Sequence, residues 1–165
     1  MMNFRYATAE DIALIQDLAR KSWEDAYAEI LSQEQIDYML GTMYSGEELT
    51  KHFTENSHYH YYIIEEDNLP YGFVGFEHHY EAETTKLHRI YLVPEAKGKG
   101  LGKAGISLVK TQTEAAGDQR IILNVNKANN AKNVYESQGF TVSKELVLDI
   151  GGGYVMDDYM MEYLL

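Results

Sequence analysis

The chain has 165 residues, with 14 Lys and Arg against 26 Asp and Glu, which gives a net charge of -12 when His is neutral. General electrostatics will not hold so acidic a chain on nucleic acid or on an anionic membrane. The absence of Cys excludes disulfides, thiolate-bound metals and thiol nucleophiles. No secretory signal is visible at the start, and no apolar run approaches the roughly 18 residues of a membrane helix. The sequence therefore predicts a cytoplasmic protein with one domain over residues 1–165.

The first third of the chain has the pattern of helices that begin at capping residues. Thr8 and Asp11 form a capping box, and apolar residues follow at helical spacing. Ser32 and Ser45 each precede an acid-rich turn in the same way. The elements predicted here are a strand at 3–7 and helices at 9–28, 33–41 and 46–55.

The rest of the chain alternates strands with helices. An aromatic and β-branched run is followed by a turn at 67–70, Pro94 ends a later strand, and Gly117 and Gly139 end helices. The predicted strands are 58–66, 71–80, 86–93, 119–126, 140–149 and 154–164, and the predicted helices are 100–116 and 130–137. This order predicts a mixed α/β (α+β) domain with a largely antiparallel sheet.

Positive charge is concentrated in one window of this acidic chain. Residues 86–110 contain six basic side chains and one acid, for a local charge of +5, which leaves -17 for the rest. The window includes a glycine-rich loop, 97–103, between a predicted strand and a predicted helix. Glycines permit close backbone approach, and a helix N-terminus offers free amides, so the loop is suited to bind phosphate.

Spacing separates this loop from two common nucleotide-binding loops. A dinucleotide fingerprint starting at Gly98 needs a glycine where Lys103 stands. A Walker A loop ending at Lys103 needs glycine at the position of Lys97 and Ser or Thr at that of Ala104. The simplest alternative is a lysine-rich exposed turn with no ligand.

The loop resembles the acetyl-CoA loop of the GNAT acetyltransferase superfamily, [Arg/Gln]-x-x-Gly-x-[Gly/Ala]. Lys97 stands where Arg or Gln is usual, and Gly100 and Gly102 match. Residues 129–140 are similar to a second family segment, Asn-x-x-Ala-x-x-x-Tyr-x-x-x-Gly-Phe, although the loop before it is one residue shorter. The residues that match in this segment are Ala131, Tyr135, Gly139 and Phe140.

The resemblance implies a GNAT fold, with a mixed, mostly antiparallel seven-stranded sheet flanked by helices and with its fourth and fifth strands splayed. It also implies acetyl-CoA as co-substrate and no metal. Loop amides would bind the pyrophosphate, and the fourth strand would bind the pantetheine arm as an added strand. The implied cofactor-binding residues are Ile90, Tyr91, Leu92, Lys97, Gly98, Lys99, Gly100, Leu101, Gly102, Lys103, Asn126 and Asn130, with Asn129 as a rival asparagine.

The same resemblance implies two catalytic residues. Tyr135 occupies the position of the general acid that protonates the CoA thiolate, the alternative being a packing tyrosine. His88 occupies a position on the fourth strand where family members often have a Glu base, and an imidazole with an ordinary pKa of about 6.5 suits that role. The alternatives are that Glu77 is the base, or that His88 is an idle strand residue. Four of the other five histidines, at 58, 60, 78 and 79, are read as hairpin surface or cleft wall, without metal-ligand spacing.

The acceptor is the least constrained prediction. Tyrosines and acids of the first helices, together with acids near the end of the chain, are similar to those of bacterial spermidine/spermine N-acetyltransferases and suit a polyamine or another small amine. A protein amine, and a non-catalytic acetyl-CoA sensor, stay open. The last strand could pair within the sheet or across a homodimer. The acceptor-wall candidates in the first helices are Tyr27, Tyr38, Tyr44, Glu24, Asp25, Glu29, Glu34 and Asp37.

Overall fold

The computed structural model describes all 165 residues. The strands are β1 (Met2–Tyr6), β2 (Tyr59–Glu66), β3 (Leu69–Glu81), β4 (Thr84–Leu92), β5 (Arg120–Asn126), β6 (Thr141–Gly151) and β7 (Tyr154–Leu164). The helices are α1 (Ile12–Ala26), α2 (Gln33–Met43), α3 (Gly46–His52), α4 (Leu101–Ala115) and α5 (Ala131–Ser137). The seven strands form one sheet in the order β1-β2-β3-β4-β5-β7-β6. Only β4 and β5 are parallel, so the predicted mixed, mostly antiparallel fold class is confirmed.

The sheet opens between β4 and β5. The two strands pair only where Thr84–Lys86 lies beside Arg120–Ile122. Beyond that point β4 continues to Leu92 and β5 to Asn126 without pairing to each other. The expected splay is therefore present, and the facing edges keep backbone groups that an extended ligand can satisfy.

The helix starts follow the capping residues. The Ser32 hydroxyl accepts from the Gln35 amide and the Ser45 hydroxyl from the Glu48 amide, each at 3.1 Å. At Thr8 the capping box is present, but it leads into a 3-10 turn, so α1 begins at Ile12 rather than at residue 9. Helix termini often tighten in this way.

The hairpin between β2 and β3 is tighter than predicted. Asp67 and Asn68 have φ of 52° and 67°, two consecutive left-handed residues that make a two-residue turn. Because the turn takes only these two residues, β3 begins at Leu69 instead of at residue 71.

Two apolar layers lie on opposite faces of the sheet. The larger packs α1, α2 and α3 against the sheet around Trp23, Tyr61 and Phe73. The smaller packs α4 and α5 around Ile106 and Met161. None of the helices is both long and apolar enough to cross a bilayer.

The last strand, β7, pairs with two strands of the same sheet. β7 pairs with β5 along one edge and with β6 along the other. Of the two alternatives left open by its apolar alternation, the structure shows pairing inside the sheet.

Candidate active site

The glycine-rich loop begins a groove at the N-terminus of α4. Gly98 and Gly100 have φ of 81° and 72°, with no neighbouring atom near the position of a Cβ. Gly100 is the residue before α4, and no side chain caps the first amides of that helix. Free amides at a helix N-terminus favour an anion. The loop therefore has the local geometry of a phosphate cradle, over a groove of about 530 Å³.

The loop lysines do not all face this groove. Lys97 and Lys103 line it together with the loop glycines, and Asp25 of α1 lies at its rim. Lys99 turns away, with its ammonium 5.3 Å from the Tyr71 ring centre. Leu101 lines the groove but is almost fully buried, so its side chain anchors the loop.

A cavity of about 160 Å³ lies in the opening between β4 and β5. Its walls come from β4, β5, α5 and the end of α1, and they bring together residues that are far apart in the sequence. The predicted residues that line it are His88, Ile90, Tyr91, Leu92, Tyr135, Asn129 and Tyr27.

Tyr135 is held in the cavity wall by the end of α5. The Gly139 amide donates to the carbonyl of Glu136 and the Phe140 amide to the carbonyl of Tyr135, each at 3.1 Å, with Gly139 at φ of 96°. This is the Schellman motif, and it explains the Tyr-x-x-x-Gly-Phe spacing: the glycine turns the chain and brings Phe140 against Tyr135. Burial, and then the nearby Tyr27, raises the pKa of Tyr135, so the phenol keeps its proton near pH 7.

His88 lies at a β-bulge. Gly75 pairs with Arg89 and Phe76 with Leu87, so His88 has no partner on β3. A bulge redirects a side chain in this way.

The bulge brings the two alternative bases into contact. The Nε2 atom of His88 lies 3.0 Å from the Oε1 atom of Glu77, and the imidazole stacks on the ring of Tyr59. The sequence left Glu77 and His88 as competitors, whereas the structure makes them one hydrogen-bonded pair.

The surroundings of His88 change its expected chemistry. Burial, followed by the positive charges of Lys86 and Arg89, lowers its pKa to about 3. The pKa of the ring therefore lies below the intrinsic value of an imidazole, because the ring is desolvated and faces positive charge. The neutral ring donates Nε2–H to the Glu77 carboxylate, which leaves the lone pair on Nδ1.

Arg89 is a cavity residue that the sequence analysis did not single out. It is 7% exposed, its guanidinium lies 4.2 Å from the Tyr44 ring centre, and it donates to the Met43 carbonyl at the end of α2. Its Nη1 atom has no partner. The available signal was a cation directly before the apolar run 90–93. Arg89 also lines a second, polar groove that contains His88 and Glu77.

The three rival asparagines are separated by their positions. Asn129 lines the cavity and donates to the Tyr27 hydroxyl at 3.3 Å. Asn126 is buried and accepts from the Ala128 amide, and Asn130 is exposed at the start of α5. Neither Asn126 nor Asn130 lines the cavity.

Most of the predicted acceptor residues lie outside the cavity. Tyr44 is buried beneath Arg89, and the Tyr38 hydroxyl donates to the Ile150 carbonyl at 3.2 Å. Glu24 and Asp37 bind Arg20 on the helix surface. Asp25 borders the loop groove, while Glu29 and Glu34 are exposed. Tyr27 alone among these residues lines the cavity, with its hydroxyl 3.5 Å from that of Tyr91.

A buried network closes the other end of the β4–β5 opening. Asp118, just before β5, accepts from the backbone amide and ring of His79 and from the Thr85 hydroxyl. His78 is also buried and its Nδ1 lies 2.9 Å from the Thr85 hydroxyl. The interpretation of His78 as surface or cleft wall is therefore wrong, because strand alternation places it on the inward face of β3 with Val74 and Phe76. No group of three or more His, Asp or Glu residues is arranged to hold a metal ion.

A family model for the acetyltransferase (GNAT) domain matches residues 27–152. The chain belongs to this family. The GNAT chain is similar to the PaiA N-acetyltransferase of Thermoplasma acidophilum in complex with coenzyme A, with a TM-score of 0.84, 26% identity and coverage of 100% of this chain and 99% of that one.

Two curated relatives match part of this GNAT chain. A 5-NmdU N-acetyltransferase of Pseudomonas phage PaMx11 is 36% identical over 51% of this chain. A spermidine N(1)-acetyltransferase of Thermoplasma acidophilum is 29% identical over 62% of it. The chain spans 59% and 64% of the lengths of these two relatives.

Proposed function

We propose that this protein transfers the acetyl group of acetyl-CoA to a primary amine by direct attack. One observation carries the proposal: the cavity in the β4–β5 opening contains Tyr135, His88 and the free edge of β4. The glycine-rich loop begins directly after the short turn, Pro94–Ala96, that follows that edge. A ligand with a phosphate end and an extended arm fits this order of groups.

The residues present fit acetyl-CoA. The amides from Gly98 to Lys103 would bind the pyrophosphate, except that of Lys99, which donates to the Ala96 carbonyl at 3.1 Å. The charges of Lys97 and Lys103 would help. The backbone of Ile90 to Leu92 would pair with the amide-bearing arm, and one of its N–H groups would stabilise negative charge on the thioester oxygen. Acetyl-CoA supplies the activated acetyl group.

Tyr135 acts as the general acid in this proposal. The amine nitrogen forms a bond to the thioester carbon, the carbon–sulfur bond breaks, and the thiolate takes the phenolic proton. Solvent then returns a proton to the phenolate. Burial favours the protonated phenol before the reaction, as this role requires.

The Glu77–His88 pair receives the proton of the acceptor amine. A lysine-like amine has a pKa of about 10.4 and is mostly protonated near neutrality. The amine loses one proton to solvent before it attacks, and its nitrogen becomes acidic once it bonds to the thioester carbon. The Nδ1 lone pair of His88 then takes that second proton through water, and the Glu77 carboxylate stabilises the imidazolium while it exists.

A polyamine or another small amine is the proposed acceptor. The similarity to a spermidine N(1)-acetyltransferase and the charge of -17 outside residues 86–110 support a cationic substrate. The phage relative is named for a different amine, so family membership does not by itself select polyamines.

CoA release over a panel of amines tests this function. The panel contains spermidine, spermine, putrescine, an aminoglycoside and a peptide with a free N-terminus, and calorimetry measures acetyl-CoA binding separately. We expect acetyl-CoA binding and the highest kcat/KM with the small polyamines. Binding without turnover on any amine would indicate a sensor, and preference for the peptide would indicate a protein acetyltransferase; either result overturns the proposal.

A further inference from the structure

Asp158 is a buried carboxylate without a partner. It lies on β7, is 5% exposed, and its Oδ1 atom has no hydrogen-bond partner. No Lys, Arg or His lies within salt-bridge distance of it, whereas the adjacent Asp157 binds Lys127 at 3.0 Å. Successive strand residues point to opposite faces, so this lysine does not serve Asp158. Burying an ionised carboxylate without a partner is strongly unfavourable.

The carboxylate lies at the open end of the β4–β5 gap. Asp158 is opposite Asn126, the last residue of β5, and shares the sheet face of Met156, which packs with α1. Tyr27 is near enough that the charge of Asp158 adds to burial in raising the tyrosine pKa. Tyr27 also lines the cavity that contains Tyr135. Asp158 itself does not line that cavity, and Tyr27 is the cavity residue that senses its charge.

Asp158 differs from the other buried charge near the cavity. Arg89 also has an unpartnered atom, but its guanidinium packs on the Tyr44 ring and binds the Met43 carbonyl at the end of α2. Those contacts give Arg89 a role within the fold. No contact of that kind is made by the Asp158 carboxylate.

We propose that Asp158 binds an ammonium group of the acceptor distant from the amine that is acetylated, so that the site selects diamines and polyamines over monoamines. An alkylammonium group has three N–H donors and matches an acceptor-only carboxylate. The Tyr27 ring, packed on Trp23 with ring centres 4.6 Å apart, adds an aromatic surface for the cation. This inference rests on the proposed function and specifies its substrate class.

Asp158→Asn tests the inference with matched amines. The two substrates are putrescine and butylamine, which have the same four-carbon chain but differ in the second ammonium. We expect the KM for putrescine to rise about 10- to 100-fold, the loss of one charge-assisted contact, while the KM for butylamine and the affinity for acetyl-CoA stay unchanged. An unchanged ratio of the two KM values would overturn the inference.

Calorimetry with CoA present separates this inference from the proposed function. Wild-type protein should bind putrescine more tightly than butylamine, and Asp158→Asn should remove the difference, whether or not an acetyl group is transferred. Equal binding of both amines by the wild type would overturn the role of Asp158 even if both were acetylated. Selective binding without turnover would instead remove the enzymatic function.

Asp157→Asn is the matched control, since it changes the neighbouring aspartate that already has a lysine partner. It should leave both KM values unchanged. Asp158→Asn removes an unpartnered buried charge, so its Tm should equal or exceed that of the wild type. A lower Tm together with an unchanged KM ratio would give Asp158 a structural role and overturn the proposal.

Discussion

The two ends of the β4–β5 opening contain aspartates that look alike in the sequence and differ in their surroundings. At the closed end, Asp118 accepts three hydrogen bonds, from His79 and Thr85. At the open end, the Oδ1 atom of Asp158 is buried and accepts none. At the closed end the protein itself supplies the hydrogen bonds of the carboxylate, whereas at the open end the buried carboxylate has no hydrogen-bond partner. Stability and ligand binding therefore have separate places along one pair of strands.

The pKa values of these two carboxyl groups are accordingly shifted in opposite directions. Burial acts to raise the pKa of Asp118, but the hydrogen bonds from His79 and Thr85 outweigh it and the pKa is lowered. Burial, and then the adjacent Asp157, raises the pKa of Asp158 to about 6. Ionisation is thus supported at the closed end and opposed at the open end.

The largest effect is expected at the open end, from Tyr135→Phe. Removal of a proton donor from the cavity should lower kcat by about 10²- to 10⁴-fold, the usual contribution of general acid catalysis. The affinity for acetyl-CoA should stay near that of the wild type, because the ring still packs against Phe140. Steady-state kinetics and calorimetry measure the two quantities. Unchanged turnover across the pH range would assign Tyr135 a packing role only.

At the closed end, Asp118→Asn should affect stability instead of chemistry. An amide cannot accept all three hydrogen bonds, so the free energy of unfolding should fall by about 2 kcal/mol. The pKa of Asp118 is lower in the folded state, so its contribution is present above the unfolded pKa of about 3.9 and is lost as the pH falls below it. Urea denaturation should therefore show a difference at neutral pH that narrows in acid. A difference that widens in acid would contradict this assignment.

Two glycines at opposite ends of α4 give a smaller effect and a direct comparison. Gly100 and Gly117 both have positive φ and open space around the missing Cβ. Valine at either position should cost about 1–2 kcal/mol of backbone strain. Only Gly100→Val should weaken acetyl-CoA binding, by about tenfold, because only that residue precedes the free amides. Equal loss of affinity in Gly117→Val would indicate a general loss of folding.

Features that depend on backbone conformation or on periodicity were predictable from the sequence. Gly98 and Gly100 take the left-handed conformations that their motif requires, and Gly139 with Phe140 forms the turn that positions Tyr135. The strands and helices follow the predicted order, with ends that differ by a few residues.

Features that depend on contacts across the sheet were not predictable. The bulge at His88 is a one-residue change in register, and it brings His88 to Glu77, eleven positions earlier in the chain. Asp157 and Asp158 are the same residue type at adjacent positions, yet Asp157 is exposed and forms a salt bridge with Lys127, whereas Asp158 is buried and its Oδ1 atom has no partner. A local pattern does not specify which strand residues will meet, so the acceptor wall could not be derived.

The smallest effect concerns the shape of the pH–rate profile. With its pKa lowered to about 3, His88 is neutral throughout the range from about pH 5 to pH 8. The profile is measured with butylamine, which does not use the Asp158 carboxylate, and its kcat/KM should show no inflection near 6.5 in that range. Glu77→Gln should reduce kcat/KM several-fold, because it weakens the hydrogen bond that the Nε2–H of His88 donates to residue 77. It should not create an inflection in the pH profile, because the ring stays buried. The comparison uses His88→Gln as the variant that lacks the imidazole. A wild-type inflection near pH 6.5 that disappears in His88→Gln would show that the histidine titrates there, and would restore a direct base with an ordinary pKa at the bulge.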